Sequence, residues 1–190
     1  MKKSIALALS ILAFSLLKGQ DAIEQHYEAY SPDSLVMVSI QIDKDISFSV
    51  GYGGISFNDP DKHHAIISPS RLSLHTEKHG AFGIEPVVRS TIFRAVDEEV
   101  EPVVRQKSAS IREHYNELTI RFKGNYSLVF RAYNEGVAFR LESNIKDEIV
   151  VVSEETEFCF TDDHMVWFPE EECLFTHQER EYLQLPLSEI

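Results

Sequence analysis

Alternation of apolar and polar residues with a period of two is the feature that most constrains this chain. Leu35–Ile42 reads LVMVSIQI and Ile46–Tyr52 reads ISFSVGY, with the polar residues 43–45 between them. Successive side chains of a strand point to opposite faces, so this period is typical of β-strands with one buried face. No long segment has the 3.6-residue period of an amphipathic helix. We therefore expect an all-β chain.

The same period continues along the sequence, with turn residues between the segments. Pro69 predicts an edge or a bend, Gly124–Asn125 predicts a tight turn, and the Gly- and Pro-containing region 76–113 predicts only loops and short strands. About ten strands and no long helix indicate one antiparallel β-sandwich domain over residues 21–190. Besides the two strands above, strands are predicted at Ala65–His75, Tyr115–Lys123, Tyr126–Tyr133, Val137–Ser143, Glu148–Ser153, Glu157–Phe160 and Met165–Phe168.

The hairpin Phe130–Glu142, FRAYNEGVAFRLE, carries an arginine on each strand. A uniform buried face favours pairing Asn134 with Val137, which puts Arg131 directly opposite Arg140. Opposed like charges destabilise a sheet pair, so an anion is expected over them. The anion could be structural: Glu142, diagonally across the hairpin, or another acidic side chain from the last third of the chain. The functional alternative is the carboxylate or sugar of a bound ligand. We predict a structural role for both arginines.

The first 20 residues predict a secretory signal peptide. Two lysines precede an apolar run, Ile5–Leu17, that is too short to span a bilayer comfortably, and no cysteine offers a lipid anchor. We therefore expect export to the periplasm without a membrane anchor. Without residues 1–20 the chain has 15 Lys and Arg against 31 Asp and Glu. Such a charge repels phosphate backbones and argues against nucleic-acid binding.

The acidic residues are concentrated towards the C-terminus, and the two cysteines lie in the same region. Residues 141–190 contain 14 Asp and Glu against only Lys146 and Arg180. Such a block is usually a solvated face, but clustered carboxylates also suit calcium. Cys159 and Cys173 are assigned structural roles, either as a disulfide that closes a short loop or as two separately buried thiols.

No catalytic motif is present: the sequence lacks G-x-S-x-G, H-E-x-x-H, a P-loop and G-x-G-x-x-G. Four stretches in order, however, together resemble the N-terminal domain of glycoside hydrolase family 97, which is composed of exported Bacteroidetes-type α-glucosidases and α-galactosidases. The FRAYNEGVAFRLE hairpin is the most specific of the four. The others are Ser31–Asp33, Ser68–Leu72, and the tail in which residues 178–182 lead to Pro186–Glu189.

This resemblance implies a galactose-mutarotase-like super-sandwich that packs on its own catalytic (β/α)8 barrel, an oligosaccharide substrate and a calcium cofactor. One calcium ligand is expected from this domain, at Glu179 with Glu181 as second choice, and the alternative is two solvated glutamates. No catalytic residue is assigned, because the family's acid and base belong to the barrel, which these residues do not contain. The chain alone is expected to be inactive.

A different class of function stays open beside this one. A stand-alone exported carbohydrate-binding module would need exposed aromatic side chains on a concave face, and a purely structural module would not. The candidate aromatic residues are Trp167, Phe168, Tyr52 and Tyr133.

Overall fold

The computed structural model describes residues 24–53, 64–104, 107–171, 173, 175 and 179–190. Within them the chain forms twelve strands and one short 3-10 turn, Leu187–Glu189. No helix in this part of the chain is long and apolar enough to cross a membrane. The predicted signal peptide lies outside the described residues. The strands are β1 (Gln25–Tyr30), β2 (Val36–Ile42), β3 (Ile46–Tyr52), β4 (His64–Thr76), β5 (Gly80–Phe82), β6 (Val88–Val100), β7 (Ile111–Phe122), β8 (Tyr126–Tyr133), β9 (Gly136–Ser143), β10 (Val151–Thr156), β11 (Met165–Phe168) and β12 (Leu183–Pro186).

The strands form two stacked antiparallel sheets and a separate two-stranded ribbon. The first sheet has the order β1-β2-β3-β4-β10, with β5 paired to β4, and the second has the order β6-β7-β8-β9. The ribbon consists of β11 and β12, paired from Met165 opposite Pro186 to Phe168 opposite Leu183. The prediction of an antiparallel β-sandwich is confirmed.

The core lies between the two sheets and is built from the alternating apolar residues of β2, β3, β7 and β8. Ile40, Ile120 and Phe130 are fully buried. The ring of Phe48 on β3 packs against Phe130 and Phe139, with centroid distances of 5.9 and 5.3 Å. Burial of this apolar surface is the main favourable term in folding.

Two turn predictions are also confirmed, one of them with a refinement. Gly124 and Asn125 have φ values of 94° and 59°, so both residues of the predicted turn adopt the left-handed conformation, within the three residues that join β7 to β8. Pro69 lies where the β3–β4 pairing shifts between Ser70 and Ile67. This is a bulge inside the sheet, because the residues after β10 line the other side of β4 here: Phe160 bridges to Ile67, and the Cys159 backbone bonds to Ser68 and Ser70.

Two other predictions about elements are wrong, and one strand was not predicted. The region 76–113 contains β6, a strand of 13 residues, where only short strands were expected. Its adjacent Ile92 and Phe93 break the alternation on which the prediction depends. Residues 157–160 form no strand, although Phe160 makes an isolated bridge to Ile67. Strand β1 lies in a segment for which no strand was predicted.

Candidate functional site

The C-terminal ribbon carries the two glutamates predicted as metal ligands. Glu179 and Glu181 both lie in the connection between β11 and β12, and both are exposed. Residues 172, 174 and 176–178 of this connection are outside the described part of the chain. The structure therefore places both candidates on an accessible segment just before β12, and it does not distinguish their roles.

Across the same connection, the guanidinium of Arg180 faces Glu171. Arg180 Nε lies 3.5 Å from Glu171 Oε2, and the Glu171 side chain is 21% exposed. Neither carboxylate oxygen of Glu171 accepts a hydrogen bond from the described residues. The sequence analysis missed Glu171 because it lies in an acidic run whose members cannot be told apart by spacing.

Calcium requires six to eight oxygen ligands, so the fit of this region can be tested. The described residues contain no group of three or more His, Cys, Asp or Glu side chains that could hold a metal ion. Glu179 is exposed, and its carboxylate is a hard oxygen ligand of the kind that calcium binds. The chain could therefore supply one carboxylate to a site completed by other residues, but its described part holds no complete site.

The ribbon also exposes three large apolar or aromatic side chains on and beside β11 and β12. Trp167 is 66% exposed and Met165 58%, on the face of β11 that pairs with Gln184 and Pro186. Tyr182, directly before β12, is 60% exposed. Contiguous exposed apolar surface of this kind marks interaction sites in soluble proteins.

The hairpin register differs from the predicted one by two residues. Arg131 pairs with Ala138 and Arg140 with Val129, so the two arginines are not opposite each other. A shift of two leaves every side chain on its predicted face, which is why face uniformity could not distinguish the registers. The Asn134 side chain accepts a hydrogen bond of 3.2 Å from the backbone N–H of Asp33. This contact holds Asn134 in the turn.

Each hairpin arginine has an acidic neighbour. Arg140 lies 2.5 Å from Glu142, one of the partners that the sequence suggested. Arg131 instead contacts Glu117 of β7, with Nε 2.8 Å from Oε2, and stacks over the Tyr115 ring at 4.3 Å. Sequence reasoning missed Glu117 because it sought partners for Arg131 across the β8–β9 hairpin and in the last third of the chain, whereas Glu117 lies opposite Arg131 on β7.

The electrostatics of this cluster follow from its burial. Glu117 is 8% exposed and also lies 3.2 Å from Arg94. Burial by itself would lower the pKa of Arg131, but its hydrogen bonds to Tyr133 and Glu117 raise the pKa above the ordinary value. Burial raises the pKa of Tyr115. Arg131 is thus held charged beside a buried carboxylate, an arrangement suited to fixing neighbouring strands.

Two of the other stretches behind the family resemblance make local polar contacts. The Ser31 hydroxyl donates to Asp33 at 2.6 Å, and this bond is the main reason the pKa of Asp33 is lowered. Arg71 forms an exposed ion pair with Glu157 at 2.7 Å, and its hydrogen bonds lower the pKa of the Glu157 carboxyl. The first contact stabilises the turn before β2, and the second joins β4 to the residues after β10.

The cysteines are neither bridged nor buried. Cys159 and Cys173 are both free and exposed, so the disulfide and the two separately buried thiols are both wrong. The backbone of Cys159 nevertheless bonds to β4: its N–H donates to the Ser70 hydroxyl at 2.9 Å and its carbonyl accepts from the Ser68 N–H at 2.8 Å. Cys159 therefore joins the segment after β10 to the sheet through its backbone groups and not through its thiol.

The four candidate aromatics of a binding module do not come together. Trp167 and Phe168 are successive residues of β11 and point to opposite faces. Tyr52 ends β3 in the first sheet, and Tyr133 ends β8 in the second. The structure therefore offers no shared aromatic platform made of these residues.

Comparison with known proteins gives a consistent result. A family model described as the glycosyl-hydrolase 97 N-terminal domain matches residues 30–190. A retaining α-galactosidase from Bacteroides thetaiotaomicron is 29% identical over 163 residues, which is 86% of this chain and 22% of that protein. The chain thus spans about a fifth of the length of this curated relative.

Solved structures show the same fold. A glycoside hydrolase family 97 enzyme from Pseudoalteromonas sp. strain K8, in complex with acarbose, aligns with a TM-score of 0.60 at 22% identity, over 76% of this chain and 22% of the other. A β-arabinopyranosidase aligns with a TM-score of 0.64 at 20% identity, over 83% of this chain and 26% of the other. With the match over residues 30–190, the chain belongs to the glycosyl-hydrolase 97 N-terminal family.

Proposed function

We propose that this chain is the N-terminal domain of an exported, periplasmic, calcium-dependent α-glycoside hydrolase that acts on oligosaccharides. The domain packs on a catalytic barrel, which carries the acid and the base or nucleophile. The observation that carries the proposal is the exposed apolar face of the ribbon at Met165, Trp167 and Tyr182, next to Glu179. A face of this kind suits a large partner surface better than water.

The relatives support the substrate class. One is a retaining α-galactosidase, and one family 97 enzyme was solved in complex with acarbose. These descriptions belong to those proteins, and for this chain they favour an α-linked glycoside as the substrate of the whole enzyme.

In this proposal Glu179 supplies one carboxylate to the calcium ion. When bound, calcium would provide charge stabilisation and help to orient the substrate. The ribbon positions Glu179, because β12 follows it within four residues and is paired to β11. Arg180, the residue after Glu179, lies 3.5 Å from Glu171 and also tethers this stretch of backbone.

The test compares Glu179→Gln with Glu181→Gln in an enzyme in which this domain precedes its barrel. Glu179→Gln is expected to weaken calcium binding by at least about tenfold, because ligand number and charge set calcium affinity. Activity should fall at limiting calcium and recover in excess calcium. Calcium titration followed by activity and by isothermal calorimetry measures both effects.

Glu181→Gln is the matched control, two residues away and also exposed. It should leave calcium affinity unchanged. A loss confined to Glu181→Gln would move the ligand to the second candidate, and no loss in either variant would refute the metal-ligand role.

A further inference from the structure

Two arginines in the described part of the chain lack an acidic partner. Six of its eight arginines have a carboxylate oxygen within 3.5 Å: Arg71, Arg94, Arg112, Arg131, Arg140 and Arg180. No such ion pair joins Arg89 or Arg121 to another described residue. The whole chain has 31 Asp and Glu against 18 Lys and Arg, so a shortage of carboxylates does not explain why these two are unpaired.

A bulge in β6 brings both of these arginines to one cleft. Phe122 of β7 faces the core, so its neighbour Arg121 points to the outer face of the second sheet. Val88 lies opposite Phe122 and Ser90 lies opposite Arg121, which leaves Arg89 as the extra residue of the bulge. Bulges of this kind re-aim a side chain. Arg89 and Arg121 line the same cleft, whose volume is about 450 Å³.

The other polar side chains that line this cleft are neutral. Ser127 of β8, directly opposite Arg121, is only 3% exposed, and its hydroxyl has no hydrogen-bond partner among the described residues. Ser90 also lines the cleft, as do Asn125 and Asn144. The backbone N–H of Asn144 donates to the Asn125 carbonyl at 2.8 Å, which keeps these two residues together. The volume of the cleft is within the range of small-molecule sites.

Nearby carboxylates on the same face of the sheet are engaged with other arginines. Glu142 lies in the same cross-strand row as Arg121 and Ser127, but its carboxylate pairs with Arg140 at 2.5 Å. Glu117 is already held by two other guanidinium groups. Two positive charges without a carboxylate attract an anion, and a guanidinium binds a carboxylate through paired N–H donors.

We propose that this cleft binds an acidic saccharide, with the sugar carboxylate on Arg89 and Arg121. The Ser127 hydroxyl and the amides of Asn125 and Asn144 bond to the sugar hydroxyl groups. Amide and hydroxyl groups around two guanidinium groups suit a polyhydroxylated carboxylate better than a bare anion. The anion site follows from the two arginines alone, whereas a sugar as the bearer of the carboxylate rests on the proposed function.

The test is isothermal titration calorimetry of the chain with D-glucuronate and D-galacturonate, with D-glucose and sodium phosphate as reference ligands. At least one uronate is expected to bind, whereas glucose, which lacks the carboxylate, is not. Arg121→Gln should weaken uronate binding by at least about tenfold, because it removes a charge-assisted pair of hydrogen bonds. Binding to the parent chain should weaken as the salt concentration rises.

Arg112→Gln is the matched control. It removes the same charge from the same strand, at an exposed position that pairs with Asp97 and does not line the cleft, so it should bind uronate like the parent chain. Urea unfolding shows that both variants are folded. Equal losses of affinity in Arg121→Gln and Arg112→Gln would overturn the proposal, because they would reflect net charge and not a site.

Repeating the titration with an enzyme in which this domain precedes its barrel shows what occupies the cleft there. The same uronate affinity is expected, again lost in Arg121→Gln. A chain that binds no uronate, or that binds phosphate as tightly as either uronate, would overturn the proposal. Binding that disappears in the longer enzyme would overturn it too, since a neighbouring acidic side chain would then fill the cleft. These measurements need neither calcium nor turnover, so a failure of this site is distinguishable from a failure of the proposed function.

Discussion

Glu117 shows at the scale of single residues how a buried charge is tolerated in this sandwich. The side chain is 8% exposed on the outer face of β7 and lies between Arg94 and Arg131, at 3.2 and 2.8 Å. Burying a charge is costly unless it is paired and hydrogen-bonded. The two guanidinium groups meet that condition, and they link three neighbouring strands of the second sheet.

Glu117→Gln is expected to destabilise the fold by about 2 kcal/mol, because Arg131 would keep its charge in a partly buried site with only the more distant Glu113 carboxylate, at 4.0 Å, beside it. The measurement is the free energy of unfolding in urea. Glu142→Gln is the matched control, since it removes the partner of Arg140 at the exposed end of the same hairpin.

An exposed ion pair contributes about 0–1 kcal/mol, so the Glu142 variant should lose clearly less stability than the Glu117 variant. Equal losses in the two variants would show that burial does not distinguish the two arginines.

Strand β5 has only three residues, but it joins the two sheets of the sandwich. Its three residues pair with the end of β4, and the next residue, Gly83, donates its N–H to the Tyr126 hydroxyl of β8 at 3.2 Å. The Phe82 ring stacks on Tyr126 at 4.6 Å, and Tyr126 stacks on Phe122 at 4.8 Å. This short element therefore closes one end of the sandwich by joining the two sheets.

Gly83→Ala is expected to destabilise the protein by more than about 3 kcal/mol, from backbone strain and a steric clash together. Gly83 has a φ of +92°, and an added Cβ would lie 2.4 Å from the Leu72 carbonyl oxygen. Thermal and urea unfolding of the purified variant measure the loss.

Gly80→Ala separates the two causes. Gly80 has a φ of +77°, but a Cβ there would meet nothing within 4 Å. Only the conformational cost of about 1 kcal/mol is expected for it. If both variants lost the same stability, the close approach at Gly83 would be relieved by movement of β5.

For the whole molecule, the proposed function predicts that the chain alone does no catalysis. It should release no nitrophenol from p-nitrophenyl α-glucoside or α-galactoside, because the acid and base are assigned to a barrel, and the retaining α-galactosidase relative is the positive control. Titration calorimetry with malto-oligosaccharide should show no binding, because the candidate aromatics form no common platform. Turnover would contradict the proposal, and binding without turnover would favour a carbohydrate-binding module.

Local sequence was enough for the fold class, for most strands of the core and for the faces of the hairpin. These follow from the alternation of apolar residues, which is a property of neighbouring positions in the chain. The Gly124–Asn125 turn was predictable from local sequence too, because these two residue types readily adopt positive φ values. The family resemblance of the hairpin likewise lies in contiguous residues.

The hairpin register, the partner of Arg131 and the strand β6 were decided by tertiary structure. Registers that differ by two residues bury the same face, so contacts outside the hairpin, such as that of Asn134 with the distant Asp33, distinguish them. Glu117 reaches Arg131 because the β7–β8 register places the two residues directly opposite each other. Strand β6 lacks an alternating pattern because nearly all of its residues are exposed, so no buried face of this strand requires one. The role of Glu179 depends on residues that it meets in space, and local sequence does not specify those.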